Sequence, residues 1–315
     1  MGTQNHMTKK CINTFIFLVV TASCVAQEDL AQAPTSETPP TAKTESTLNP
    51  HFAKEMLSQL QSCDKRLTRE TLEKSLELGT TYLLANQKPE GNFNYAYDWQ
   101  TKALDSNDNQ VRQAGAFWGL STLYHNKPDK AVEKAILKAM GFFRKNSELN
   151  EQGGRYIIYP GDPRGSIGTV ALTALGYIDY LRAKKNEQGY EKKNAKLLKE
   201  LQEYLSFIVQ AQRKDHRWHA RYTHEEGRPK GKSSPYFDGE SLLALTKAAK
   251  YLGYKEYIPN IMRAAEAGYK LNITEALAID PDSNTTKGYY QWSSMAFYEM
   301  STAGWLGAKQ FGQYV

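Results

Sequence analysis

"QKPEGNFNYAY", residues 87 to 97, and "QRKDHRWHARY", residues 212 to 222, decide how this chain folds. Each opens on a glutamine (Gln87, Gln212), carries an aromatic six residues on (Phe93, Trp218) and a tyrosine four further (Tyr97, Tyr222). Between them "EQGGRYIIYP", residues 151 to 160, is a looser copy with Tyr156 and Tyr159. Every copy follows one helical segment and precedes a second that is dense in Gly, Ala and Ser. Those second segments read "VRQAGAFWGLSTLY", "RGSIGTVALTALGYIDYL" and "YFDGESLLALTKAAKYL", and "YYQWSSMAFYEM" closes the series. The unit is a helical hairpin of roughly 45 to 65 residues, repeated along the chain.

Outward from these turns the pattern is helical almost throughout, with apolar residues recurring at three- and four-residue spacings and little strand-like alternation. The periodicity predicts helices over 51–63, 69–86, 109–125, 129–147, 166–184, 193–211, 239–252, 256–271 and 288–303. Hairpins of this size stack in a line or close into a ring. Linear solenoid repeats are shorter and more uniform. A long variable loop inside each hairpin and a small-residue second helix point to an all-α (α/α) toroid of about four to six hairpins, complete or incomplete, spanning 51–315.

The Gln87, Gly91 and Phe93 spacing resembles the QW-type repeat of the terpenoid cyclase and prenyltransferase toroids, and the second copy departs from it with His216 in the glycine's place. "YFDGESLLAL", followed by "YLGYKEY" and a late "YYQW", is similar to segments of toroid proteins that act on glycans, such as the glucuronyl C5-epimerase-like families. Repeat patterns specify fold better than activity. The Asp-rich DxDD or DDxxD motif of terpene cyclases is absent, and one body cysteine cannot complete the zinc set of the protein prenyltransferases. An isoprenoid substrate is therefore the least favoured reading.

The N-terminus carries an address. Lys9 and Lys10 precede "CINTFIFLVV", too short an apolar run to span a bilayer and suited to a signal-peptide core over 1–26, with Met7 an alternative start to Met1. "TASC" resembles a bacterial lipobox in which Cys24 is lipid-modified, although Thr21 stands where that motif has Leu. Cleavage after Ala26 is the competing reading. Residues 27–50, rich in Pro, Thr and Ser, read as a disordered tether. These features predict export to the periplasm or cell envelope, with membrane contact only through a lipid anchor. Only Cys63 lies in the body, so no internal disulfide forms.

A net charge of +6, from 40 basic and 34 acidic side chains spread along 315 residues, reads as a solvated surface, not a nucleic-acid arm. No phosphate-cradling loop and no G-x-S-x-G elbow occurs. "HRWHARYTHEE", 216 to 226, fits no metal-ligand spacing, so neither metal nor cofactor is expected.

In a toroid with parallel inner helices, the helix starts gather at one mouth. There the sequence supplies Arg112, Arg164, Asp238, Glu240, Gln291 and Trp292, with Tyr97, Tyr159, Tyr222, Tyr236 and Tyr289 from the preceding loops. Such a funnel suits a glycan or another polyhydroxylated ligand. Asp238 and Glu240 are the expected acid–base pair, with Tyr236 and His216 as further acid or base candidates. Asp238 also has the chemistry of a helix cap, whereas Glu240 lies too far in to cap anything, and it is the favoured catalytic residue.

Overall fold

A computed structural model describes residues 67–98, 100–105 and 107–315. The expected signal peptide with Cys24, the tether, the helix over 51–63 and Cys63 lie outside the described residues. The chain divides into two compact units between Leu78 and Gly79, and helix α1 (Arg69–Ala85) crosses the division. Everything below concerns Gly79–Val315.

Helices there alternate between an inner and an outer role. The inner ones are α2 (Gln110–Asn126), α4 (Ile167–Lys184), α6 (Pro235–Lys247) and α9 (Asn284–Ser301). The outer ones are α3 (Lys130–Lys145), α5 (Tyr190–Gln210) and α7 (Ile258–Tyr269), and a short α8 (Glu275–Ile279) precedes α9. Each inner helix packs on the next, α2 on α4, α4 on α6 and α6 on α9. The rings of Trp118 and Trp292 meet at 5.7 Å, so the series returns from its last inner helix to its first. This is the all-α (α/α) arrangement the repeat predicts.

Composition explains the division of labour. In α4 every residue from Ile167 to Leu181 is buried, which requires a helix that is apolar or small all round. Outer α3 and α5 bury one stripe, from Val132 to Phe143 and from Leu201 to Ile208, and expose lysines and glutamates opposite. Small residues let the inner helices approach: a Cβ at Gly176 would run into the ring of Phe117, and one at Gly239 into the Cβ of Trp292. Fully burying side chains such as Phe117, Leu120 and Phe207 stabilises the ring by about 2 kcal/mol each.

Short strands decorate the loops. β1 (Tyr97–Asp98) pairs with β2 (Ala103–Leu104), and β3 (Ser147–Leu149) with β4 (Arg155–Ile157). β5 (Gly165–Ser166), β6 (Arg221–Tyr222) and β7 (Pro229–Lys230) form a small antiparallel sheet. That sheet ties the start of α4 to the loop before α6.

Candidate functional site at the inner-helix starts

The turn repeat is real at the level of single hydrogen bonds. In the first copy Gln87 faces Phe93 in a β-bridge, Lys88 N–H donates to Asn92 O, and Gly91 N–H donates to Lys88 O. In the second, Gln212 faces Trp218, Arg213 N–H donates to Arg217 O, and His216 N–H donates to Arg213 O. Both glutamines then brace their own turn, Gln87 Nε2 on Gly91 O and Gln212 Nε2 on His216 O, each at 3.0 Å. The middle copy has the same frame, with Leu149 facing Arg155, and Gly153 N–H donating to Asn150 O. Arg155, not a tyrosine, therefore takes the aromatic's place there, and Tyr159 falls in register with Tyr97 and Tyr222.

His216 stands where Gly91 stands, in the left-handed region (φ 65° against 113°). The expected departure from the glycine pattern is thus a backbone matter, and His216 serves as a turn residue. A Cβ at position 91 would collide with the carbonyl of Lys138, while the second turn has room for one.

An inner-helix side chain anchors the first and last of these turns, while Gln210 of the outer α5 holds the middle one through Asn150 and Gln152. Gln113 of α2 accepts the N–H of Phe93 at 2.7 Å and returns its own N–H to Phe93 O at 2.8 Å. Asp238 of α6 accepts the N–H of Trp218 at 2.9 Å and that of Asn272 Nδ2 at 3.1 Å. The expected cap role of Asp238 is corrected by this arrangement. Pro235 starts the helix earlier than the periodicity suggests, because proline is preorganised for the first helical position, so Ser234 is the cap residue and Asp238 lies in the first turn. Its carboxyl is 1% exposed, and burial pushes its pKa up to about 7 against the pull of Trp218 N–H, Asn272 and Arg217.

Glu240 is 2% exposed, and a Cβ at Gly168 would lie 2.5 Å from its Oε2, so its carboxylate rests against the backbone of α4. Beside it on α6, Tyr236 packs its ring where a Cβ at Gly288 would sit. Trp292, 2% exposed, lies against Gly239 in the seam between α6 and α9, and Tyr289, 1% exposed, sets its hydroxyl against Gly268 of α7. Asp238, Glu240, Tyr236, Tyr289 and Trp292 are therefore brought to α6 and its two neighbours. Gln291 is half-buried next to them along α9.

Several other expectations change. Tyr222 is fully buried, its hydroxyl donating to Ile157 O and accepting Ile157 N–H, which makes it a strut between loops and not a funnel surface. Tyr159 is buried too, donating to Asp108 Oδ2 at 2.7 Å, and Asp108 Oδ1 accepts Gln113 Nε2 at 2.6 Å. Trp292 and Tyr289 are packed into the core and offer no open ligand face. Tyr97 is exposed on the β1–β2 hairpin and Arg164 is exposed ahead of β5. Arg112, half-buried, donates to the hydroxyl of Tyr95, with its guanidinium 5.4 Å from that ring's centre.

A second polar cluster escaped the sequence reading. Towards the other end of the inner helices, Asp179 of α4 accepts Lys247 Nζ at 2.6 Å, Arg182 Nη1 at 2.7 Å and Trp118 Nε1 at 2.8 Å. Burial pushes the Asp179 carboxyl up, but Lys247, Arg182 and Trp118 outweigh it and hold the group well below the usual carboxylate range. Nearby, Glu299 of α9 accepts Lys250 Nζ and Tyr251 Oη, both at 2.6 Å. Lys250 and Tyr251 belong to a π-helical turn, Ala248–Leu252, that continues α6, and Asn272 belongs to another, Lys270–Thr274. Such turns recur at functional sites. The only signal in the sequence was a charge inside a small-residue helix, as in "LGYIDYL". Among the described residues no group of three or more His, Cys, Asp or Glu could hold a metal ion.

No family model and no curated protein matches the sequence. Solved structures do. A D-mannose isomerase matches at TM-score 0.51 with 13% identity, over 66% of this chain and 52% of its own. The cellobiose 2-epimerase of Spirochaeta thermophila DSM 6192 matches at 0.48 with 15% identity, over 66% and 56%. A family 76 glycoside hydrolase (mannosidase) of Bacteroides thetaiotaomicron VPI-5482 matches at 0.43 with 12% identity, over 52% and 44%. The chain thus spans about half the length of these structures. At such identities the likeness concerns fold, and the isomerase match places the chain among the (α/α) toroids.

Proposed function

We propose that this chain is an exported, envelope-attached toroid that binds a saccharide at the inner-helix starts and modifies it by epimerase, lyase or hydrolase chemistry. The observation that carries the reading is Glu240, an acid held in the inner ring at 2% exposure, in a position where helix capping does not require it. Asp238, whose burial lifts its pKa to about 7, adds a group able to hold or release a proton at neutral pH. The fold likeness to a D-mannose isomerase supports a sugar as ligand. Arg112 and Arg164 have the charge to hold an acidic sugar, and Tyr97 the exposed ring to support one.

The test is calorimetric titration of the full chain with neutral and uronate oligosaccharides, followed by product analysis. Binding with turnover that falls at least a hundredfold in Glu240→Gln supports the enzyme; turnover retained in that variant sinks Glu240 as catalyst. One observation favours a second reading, a non-catalytic component of an envelope assembly. Tyr222, Trp292 and Tyr289 are consumed by core packing, and Asp238 by its hydrogen bonds from Trp218 N–H and Asn272 Nδ2. Binding without turnover of any bound sugar selects that reading, and absence of binding across the panel removes both. Export and anchoring are tested separately, by following membrane partitioning of Cys24→Ser.

A further inference from the structure

Two neighbouring outer helices carry a charge that the third does not. Helices α3 and α5 hold eight lysines, four each, against four glutamates, whereas outer α7 holds one arginine and one glutamate. Three of the four glutamates are matched by other cations: Glu133 by Lys184 at 2.6 Å, Glu200 by Arg144 at 2.5 Å and Glu203 by Arg155 at 2.7 Å. Only Glu191 of the four is left to the lysines, and Lys199 comes no nearer than 4.0 Å to Glu203. Lys184, at the end of α4, also holds Glu187 just ahead of α5, so α3 and α5 begin at the same end. The Arg144–Glu200 pair ties them again further along, and the two helices run side by side. Their outer faces are stripes of exposed lysines at helical spacing, Lys130, Lys134 and Lys145 on α3 and Lys192, Lys196 and Lys199 on α5. Leu137, 46% exposed, stands inside the first stripe, and Leu149, 49% exposed, follows it on β3.

We propose that this outer face of α3 and α5 is a docking surface for an anionic phospholipid leaflet, its lysines meeting the headgroups and Leu137 the edge of the acyl layer. Lysines are compact charges on flexible stems, and a row of them suits a diffuse sheet of negative charge better than one stereospecific ligand. The exposed leucine separates the occupants. A lipid surface gives it an apolar boundary to enter, whereas an acidic glycan or a nucleic-acid strand gives it none. Near an anionic leaflet each lysine raises the partition by about fivefold, so a face of six acts without any single strong contact. The contact needs no lipid on Cys24. The face shares no residue with the inner-helix starts, so it stands or falls apart from the saccharide reading.

The test is co-sedimentation of the full chain, carrying Cys24→Ser, with vesicles of phosphatidylcholine and with vesicles of phosphatidylcholine and phosphatidylglycerol in equal parts. Residues 1–26 are otherwise the same in every variant, so the readout is the difference between variants. Partition onto the mixed vesicles should exceed that onto phosphatidylcholine by at least about tenfold. The excess should vanish in about 1 M salt, where the Debye length is about 3 Å. Replacing Lys130, Lys134, Lys192 and Lys196 together by Gln should lower the mixed-vesicle partition by about a hundredfold or more. The same change of net charge made at Lys255, Lys270, Lys287 and Lys309, outside the face, should lower it by less than about tenfold. Leu137→Ser should weaken it by about threefold to tenfold with the salt dependence unchanged. Equal partition onto both vesicles, equal losses in the two four-lysine variants, or no response to Leu137→Ser overturns the proposal. So does tighter binding of this face to polygalacturonate or duplex DNA in the same buffer.

Discussion

The turn at Gln87–Phe93 and the turn at Gln212–Trp218 share their backbone hydrogen bonds and differ in what holds them. The first is anchored by Gln113, an amide that satisfies both backbone groups of Phe93 and itself donates to Asp108, which also accepts the hydroxyl of Tyr159. The second is anchored by Asp238, an acid that accepts but cannot return a hydrogen bond while ionised. The first has a glycine where the backbone is left-handed, and the second a histidine. One geometry therefore has a fixed version and a titratable version, and the titratable one lies on the helix that also carries Glu240.

The largest effect expected within this comparison is at the aromatic. Trp218 is 1% exposed and donates Nε1 to Ile208 O, so Trp218→Ala should cost about 3–5 kcal/mol in denaturant unfolding. Equal stability of that variant and the parent would show that the second turn is not anchored in the core.

Gly91→Ala comes next. A Cβ there meets Lys138 O in a backbone conformation closed to alanine, and about 2–4 kcal/mol should be lost, whereas no comparable loss is expected from Gly231→Ala, where space is open. Thermal melts of the two variants compare collision with backbone strain alone.

The acid predicts a pH signature. Asp238 has its folded pKa raised to about 7, above its value of about 4 in the unfolded chain, so its contribution is fully present below pH 4 and is lost as pH rises through 7. Stability should fall by up to a few kcal/mol between those values in the parent, and the Asp238→Asn variant should lack that component. A parent-minus-variant difference that rises with pH would reverse the assignment.

Smaller still are the braces. Gln87 Nε2 reaches Ala135 O as well as Gly91 O, while Gln212 braces its own turn and accepts Asn260 Nδ2. Replacing either by alanine should cost about 1–2 kcal/mol, by loss of hydrogen bonds at half-buried sites. The smallest change belongs to His216→Gly, within about 1 kcal/mol of the parent, because relief of left-handed strain offsets the added freedom of the unfolded chain.

Much of the fold was legible in advance. The helices over 69–86, 109–125, 129–147 and 166–184 fall within two residues of those observed, because apolar spacing reports the buried face directly. The start of α6 was placed four residues late, at 239, since Pro235 and Ser234 govern that end and the apolar run does not. The site was less legible. Tyr222 and Tyr159 read as loop tyrosines available to a ligand, yet loops that pair across hairpins bury them. Asp179 and Lys247 stand in separate helices, 68 residues apart, and no local pattern announces that they meet.

The sequence by itself determined the all-α class, the hairpin repeat and the turn chemistry, because these follow from side-chain periodicity and from backbone preferences within a few residues. Tertiary structure decided which acids are buried and what they touch. Trp218 lies 20 residues from Asp238 and Asn272 lies 34. The desolvation that lifts the Asp238 pKa exists only once α6 has packed into the ring. Its protonation is thus a property of the assembled inner helices, while its helical position was written in "SSPYFDGES".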